Sequence, residues 1–584
     1  MLGTQQVDKS RCEKPIATGL TAAAHSPGCD AALLGTRSGS YRAFAIFLGA
    51  AIITAWLVWS CWRLETMFVA HHGYFYDAAA YLQQHIALYH SYLQQGAWTT
   101  ICNDFVSNNR CPLRTLPYLI AAPRLLIQQS GHLWTEIPFL FSLVLSFGWV
   151  VARRTRSVLL ALSAMSTFCA MPYLYDPMHG IAAFWLDLTA AFALGSAVLA
   201  LVSFHETRQN RWLLAFGLLA SATVLCRWWS TIFLVAFSSL ALPAVLTGER
   251  LSFRARFVGL ACALLGALPG MIFSISSFPS AWAYYKVAAI ALDHKIPNSI
   301  SWLATSLPTM VGAPVLALLL LLIGFNLANW CQRAKSAKTP SNWQLYFICF
   351  WFPASLFVVT CLVCRICVAQ HALTYFLPAL VIAAFVPLRS FGHHHWWSRA
   401  AVSSFLLIMM VSTAASAYET FRKVAKGPSA AQQVQKRTDA ELSALIAATG
   451  SKSFLEFDTQ TIYPQLEAFY RHGIYCPESA CFSIHEYHMK GRYPNKSASE
   501  VAKAAYDDVC KTVELVAVFE IPGGALGKFN NLFSERTAFY ISDAVRQDSS
   551  WRQVGRVQSP RGWLAVYQNQ ALLKKSRASA AINQ

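Results

Sequence analysis

The run IAAFWLDLTAAFALGSAVLALVSF, residues 181–204, decides the class of fold. It stays apolar over the ~20 residues that a helix needs to cross a bilayer, and a single carboxylate, Asp187, interrupts it. Lipid is the solvent such a segment is built for. Comparable windows lie at 43–62, 133–151, 157–175, 211–226, 229–247, 256–276, 304–330, 343–363, 371–388 and 400–417. With the first run they predict an α-helical polytopic membrane protein of about eleven transmembrane helices. Composition agrees: of 584 residues 55% are apolar and 13% charged, a balance unlike that of soluble chains of this length.

The formal charge of +19 would suggest nucleic acid in a soluble protein. Here the positive-inside rule absorbs most of it, and no nucleic-acid partner is implied. With the N-terminus inside, the inner loops carry Arg153, Arg154 and Arg156; Arg208 and Arg211; Arg250, Arg254 and Arg256; Arg333, Lys335 and Lys338; and Arg389 with Arg399. An odd number of spans then places the loops 63–132 and 277–303 outside, together with the tail from Tyr418 onward. Cys226-Arg227-Trp228-Trp229 separates two of the windows, and the same stretch also reads as the middle of one long helix. Merging the two would invert everything downstream and break the charge agreement.

Three regions follow. Residues 1–41 lack the apolar core of a cleavable signal and read as a disordered cytoplasmic tail before an uncleaved anchor. Residues 42–420 form the membrane domain, with its long outer loop at 63–132. Residues 421–584 read as a small extracytoplasmic α/β domain, entered through Gly427-Pro428. An amphipathic helix is expected at Gln432 to Ala448, and strands at Phe454 to Phe457, Val513 to Phe519 and Trp563 to Tyr567.

Sixteen cysteines are present. On the outer side Cys102 and Cys111 share one loop and are the candidate disulfide, while Cys476, Cys481 and Cys510 lie in the tail. Cys361, Cys364 and Cys367 have a metal-like spacing but sit on a membrane helix without a companion cluster, and read as packing residues. His393-His394-His395, beside Trp396 and Trp397, reads as interfacial.

Ionisable groups at membrane helices are expensive and therefore mark candidate sites. Asp77 follows Tyr74-Phe75-Tyr76 and opens an amphipathic stretch to Gly96, where it also suits a helix N-cap. Asp176 precedes Pro177, as turn residues do; Asp187, in an apolar run, has no such structural excuse. Arg227, Lys286, Arg365 and His371 are basic groups at the outer ends of apolar segments. They suit either an anionic phosphate held at the surface or snorkelling to lipid headgroups.

This layout resembles the GT-C superfamily of integral membrane glycosyltransferases, which includes protein O-mannosyltransferases and aminoarabinose transferases. Asp77 with Ala78-Ala79-Ala80-Tyr81 is similar to the family's Asp-Glu-x-x-Tyr pattern, with Ala78 in place of Glu. Cys111-Pro112-Leu113-Arg114-Thr115-Leu116-Pro117-Tyr118 through Gly131 is similar to the Pro-Pro-Leu segment that leads to the second span, one proline being kept. Asp187, with Asp176 competing, resembles the second acidic position. His371-Ala372-Leu373-Thr374-Tyr375-Phe376-Leu377-Pro378 is similar to the Arg-Tyr-x-Leu-Pro stretch, without its Arg in register. The resemblance covers roughly residues 42 to 420.

The resemblance implies transfer of a sugar from a polyprenyl-phosphate carrier to an extracytoplasmic glycan, lipid or protein, with inversion at the anomeric carbon. Asp77 would be the general base, and Asp176 or Asp187 would orient the acceptor or a metal. Arg227, Arg365, Lys286 and His371 would face the donor phosphate. A divalent metal is left open, since some relatives use one and others do not. The setting expected is a bacterial inner membrane with the tail periplasmic. A transporter of an ion or anionic substrate is the alternative from another class, and a structural or assembly protein a third.

Overall fold

In lipid every backbone N–H and C=O must be paired within its own segment, so apolar windows of this length fold as helices. A computed structural model describes residues 37–72, 76–106, 112–128, 131–177, 180–183, 186–247, 251–291, 299–336, 343–362, 369–388, 396–456, 464–476, 481–483, 496–508, 510–520, 533–559 and 562–575. The membrane part runs α1 (Arg37–His72), α2 (Tyr76–Gln95), α3 (Ala97–Val106), α4 (Pro112–Ala121), α5 (Leu133–Thr155), α6 (Val158–Ser166), α7 (Leu186–Thr207) and α8 (Arg211–Cys226). It continues through α9 (Ser230–Leu246), α10 (Phe253–Ala291), α11 (Ser299–Val311), α12 (Ala313–Ser336), α13 (Trp343–Leu362), α14 (Ala369–Phe385) and α15 (Trp396–Ala425). Among the described residues six helices are long and apolar enough to cross a membrane, and four more are apolar but shorter. Ala45–Gln584 is one compact unit, and every contact below lies inside it.

Two windows expected as single spans are broken, each for a local reason. At 157–175 helix α6 stops at Ser166 and gives way to 3-10 turns Thr167–Ala170 and Pro172–Tyr175. Pro172 has no N–H to continue a ladder. At 304–330 the chain divides into α11 and α12 at Gly312, whose φ of +86° favours glycine. A Cβ there would come into contact with Pro172, 3.4 Å away. The stretch around Arg227, open to either reading in the sequence, is two helices: α8 ends at Cys226 and Arg227 is extended (φ −158°, ψ 115°).

Helix α7 is the axis of the bundle. Its apolar window is buried throughout, and it packs against α5, α8 and α14. Lipid gives helices little hydrophobic reason to associate, so close contact depends on small residues. Gly195 of α7 shows this, since an added Cβ would come within 2.9 Å of Pro378 and 2.8 Å of Leu143. Helices α8 and α10 approach in the same way. A Cβ at Gly217 would meet the Ala263 carbonyl at 2.2 Å, and one at Gly266 the Leu214 carbonyl at 2.6 Å. One turn on, Gly270 donates its N–H to Ser221 Oγ at 2.7 Å.

Some of the basic surplus is fixed in place at the ends of these helices. Arg153 and Arg154 both reach Glu206, Arg154 at 2.6 Å. Arg208 donates to Gln344 Oε1 at 3.3 Å, and Gln344 donates to the Ala244 carbonyl at 2.7 Å.

The tail opens at Gly427 (φ +76°) and begins with α16 (Ala430–Thr449). Ser429 and Gln432 cap it reciprocally. There follow β1 (Phe454–Glu456), α17 (Pro464–His472), β2 (Cys481–Ser483), α18 (Ala498–Asp508), β3 (Leu515–Phe519), α19 (Phe533–Gln547), β4 (Trp551–Ser559) and β5 (Gly562–Asn569). The strands form one mixed sheet in the order β2-β1-β3-β5-β4. β1 is parallel to β2 and β3, and β5 is antiparallel to β3 and β4. All five residues of β3 are buried, as befits its central place. Cys476 and Cys510 are buried thiols of this core, and burial pushes Cys510 up to about 12, so it stays protonated at neutral pH.

Candidate functional site

The break between α8 and α9 builds the site. Arg227 leaves α8 with its N–H on the Thr223 carbonyl (3.1 Å). Ser230, at the start of α9, donates its hydroxyl to the carbonyls of Thr223 (2.8 Å) and Arg227 (2.5 Å). This knot turns the Arg227 side chain into the bundle. There its Nε lies 3.3 Å from Asp187 Oδ1, and the two side chains are 8% and 1% exposed. Its Nη1 donates to the Tyr81 hydroxyl at 3.2 Å. Tyr375 of α14 is fully buried, its ring tilted against Phe233 with centres 4.7 Å apart, and its hydroxyl lies in the field of Asp187 and Arg227.

Three separate stretches singled out in the sequence therefore meet: the Asp77-to-Tyr81 segment, Asp187 and Arg227. A lone guanidinium at this depth would be very costly, and the carboxylate and phenol offset that cost. Asp77 stands in the first turn of α2, one helical turn before Tyr81.

Beside this cluster lies a cavity of about 610 Å³. Its lining is mostly apolar, with Phe68, Met310 and Leu373 beside Tyr173, Asp176, Trp302 and Lys423. Tyr173 links cavity and cluster, because it lines the cavity and also feels the charges of both Asp187 and Asp176. Asp176 lines the cavity. Lys286 and His371 lie on helices α10 and α14, but their side chains, like that of Asp77, are outside the described residues. Arg365 and Cys111 are outside them altogether, and Cys102 is exposed on α3. Among the described residues no three His, Cys, Asp or Glu side chains gather as a metal site.

A second buried ionisable group was not singled out in the sequence. Glu65 of α1 lies 3.9 Å from His132 Nε2, and Glu136, 0% exposed, stands in the first turn of α5 close enough for the two carboxyls to feel each other. The rule that drew attention to Asp187 would have found Glu136, which falls inside the 133–151 window. Asp104 of the outer loop is also buried, and accepts the Thr115 hydroxyl at 2.5 Å, which ties α3 to α4.

The tail sits on α2, the helix that carries Asp77 and Tyr81. Leu82 and Ile86 pack with Leu466 of α17, and Gln465 donates to Gln83 Oε1 at 2.8 Å. His90 stacks on Tyr475 with ring centres 3.7 Å apart. Desolvation lowers the His90 pKa, which favours the neutral ring. Tyr470 is held protonated by burial and, next, by the charge of Glu65.

Neither a scan against models of protein families nor a search of curated proteins finds a match to this sequence.

Proposed function

We propose that this chain is a membrane glycosyltransferase of the GT-C kind, moving a sugar from a polyprenyl-phosphate carrier to an acceptor on the outer face of a bacterial inner membrane. In this reading eleven spans cross the bilayer and the tail lies on the outer side. The observation that carries it is the Arg227 guanidinium, buried between Asp187 and Tyr81 one turn from Asp77. A buried, oriented cation suits charge that develops on a departing phosphate, and Asp77, on the same helix as Tyr81, is assigned the removal of a proton from the acceptor hydroxyl.

The chemistry is a displacement at the anomeric carbon. The acceptor O–H gives its proton to Asp77 as its oxygen bonds to C1. The C1–O bond to phosphate breaks and its electron pair leaves on the polyprenyl phosphate, toward Arg227. Asp187 holds the guanidinium in place, and Asp176 orients the acceptor from the cavity. Arg365, Lys286 and His371 are assigned to the donor phosphate on the family resemblance alone.

The test uses proteoliposomes supplied with radiolabelled polyprenyl-phosphate sugars, followed by release of the free carrier. Asp77→Asn and Arg227→Ala are expected to cut turnover by about 10²-fold or more. Unchanged turnover in either variant refutes the assigned role. Carrier left intact beside Arg227-dependent uptake of an ion or anion would instead favour the transporter reading.

A further inference from the structure

Helix α2 meets two different neighbours, and its side chains sort between them by spacing. Leu82, Ile86 and His90 recur every fourth residue and so share one face of the helix. That face meets the tail. Leu82 and Ile86, 2% and 3% exposed, close on Leu466, itself 1% exposed, and His90 stacks on Tyr475. Gln83 stands beside them and accepts from Gln465. The next face belongs to the outer loop, where His85 meets the Tyr118 ring edge-on at 6.0 Å and Tyr89 packs with Leu119 and Leu126.

Tyr81 and Leu82 are adjacent, so they point about 100° apart around the helix axis. The rotation of α2 that seats Leu82 on Leu466 is therefore the one that presents the Tyr81 hydroxyl to Arg227. A roll of about 10° carries a side-chain tip about 1 Å at the outer radius of a helix, about 5–6 Å. The Tyr81–Arg227 bond, at 3.2 Å, lies at the long end of the hydrogen-bond range and breaks under such a shift.

The tail that holds this rotation has footings of its own. Helix α17 packs on α16 and buries Ala468 in the core of the tail. Lys436 of α16 donates to the Ala70 carbonyl in the last turn of α1, and Thr438 donates to the Gln558 carbonyl of β4. Without the tail, Leu82 and Ile86 would face water, and an amphipathic helix rolls to hide such a face.

We propose that Gln465 and Leu466 are positioning residues of the membrane site, through which the tail holds α2 at the rotation where Tyr81 binds Arg227. The coupling stands on these contacts, while its consequence for turnover rests on the transferase reading above.

The experiment uses the full-length protein in nanodiscs with 3-fluorotyrosine at position 81, and reads the fluorine resonance together with carrier release. Gln83→Glu/Gln465→Glu sets two carboxylates in place of a 2.8 Å hydrogen bond, whereas Gln83→Glu/Gln465→Lys sets an ion pair there. The like-charged pair is expected to move at least about half of the resonance to the position of an exposed tyrosine. It should lower kcat at least about tenfold and leave KM for the carrier within about twofold. The oppositely charged pair should keep the resonance and the turnover of the parent. Leu466→Asp should act as the like-charged pair does, and Leu466→Met as the parent. Amide exchange in β3 and β5 reads whether the tail stays folded, and if Leu466→Asp unfolds it the two glutamine pairs decide. A resonance unmoved by the like-charged pair overturns the proposal, since the outer loop then holds α2 alone. Equal displacement by both glutamine pairs also overturns it, because any change at the interface would then do the same. Displacement with unchanged turnover keeps the coupling and removes Tyr81 from the chemistry. A parent that releases no carrier removes the transferase reading, and the resonance still decides the coupling.

Discussion

Replacing Asp187 by Asn takes a carboxylate away from the buried Arg227 guanidinium, and the size of the penalty follows from the geometry. At 3.3 Å the pair attracts by about 5 kcal/mol with an effective dielectric of ~20, and side chains 8% and 1% exposed admit little water to replace it. Removing one partner of such a pair costs about 3–5 kcal/mol, whereas replacing both by apolar groups is often close to neutral. Asp187→Asn and Arg227→Met are therefore each expected to lower stability by that amount. The double variant Asp187→Leu/Arg227→Met should lie within about 1–2 kcal/mol of the parent. Tyr81→Phe, which removes the Nη1 partner, should cost about 1–2 kcal/mol. Thermal unfolding in detergent, followed by resistance to protease, measures all four. Additive single losses in the double variant would refute the coupling of these side chains. Full recovery of stability with turnover still absent would separate the structural role of the pair from the proposed catalytic one.

Three further outcomes follow from other parts of the molecule. Gly266→Leu puts a side chain where a Cβ already meets the Leu214 carbonyl at 2.6 Å, so α8 and α10 must part; stability should fall by about 2 kcal/mol or more in the same assay, and an unchanged midpoint would contradict the packing. Asp548 in the tail has its pKa lowered by the Tyr506 hydroxyl and then by Ser550, so its contribution is present above the unfolded pKa of about 3.9 and disappears as pH falls through the lower folded value. Asp548→Asn should cost about 1 kcal/mol at neutral pH and remove that acid dependence, as read by tail tryptophan fluorescence. His90 has the same sign for a different reason. Burial lowers its folded pKa, so stacking on Tyr475 is at full strength above the unfolded value of about 6.5 and weakens as pH falls below it. Proteolysis at the Gly427-Pro428 linker should accelerate on mild acidification, and His90→Phe should abolish the effect.

The membrane class, the helical windows and the tail's α/β content were legible because each is a one-dimensional property. Apolar length, loop charge and alternation are carried by neighbouring residues, and α16, β1, β3 and β5 fall where those patterns put them. Strand β4, with its mixed burial and a bulge between Gln553 and Gly555, offered no clean alternation to read. The interruptions at Pro172 and Gly312 were written in the chain as well, yet a hydropathy window averages over a single residue.

Sequence by itself determined that Asp187 and Arg227 each needed a reason to stand beside apolar helices, since the cost of burying a charge depends only on the medium. It could not pair them. Arg227 and Tyr81 are 146 positions apart, and their contact exists because the chain breaks after Cys226 while α2 returns over the bundle. Tertiary structure alone decided that partnership, the company of Glu65, His132 and Glu136, and the seating of α17 on α2. Such contacts depend on how helices cross, and crossing is settled by the fit of small residues such as Gly195 and Gly217 against their neighbours.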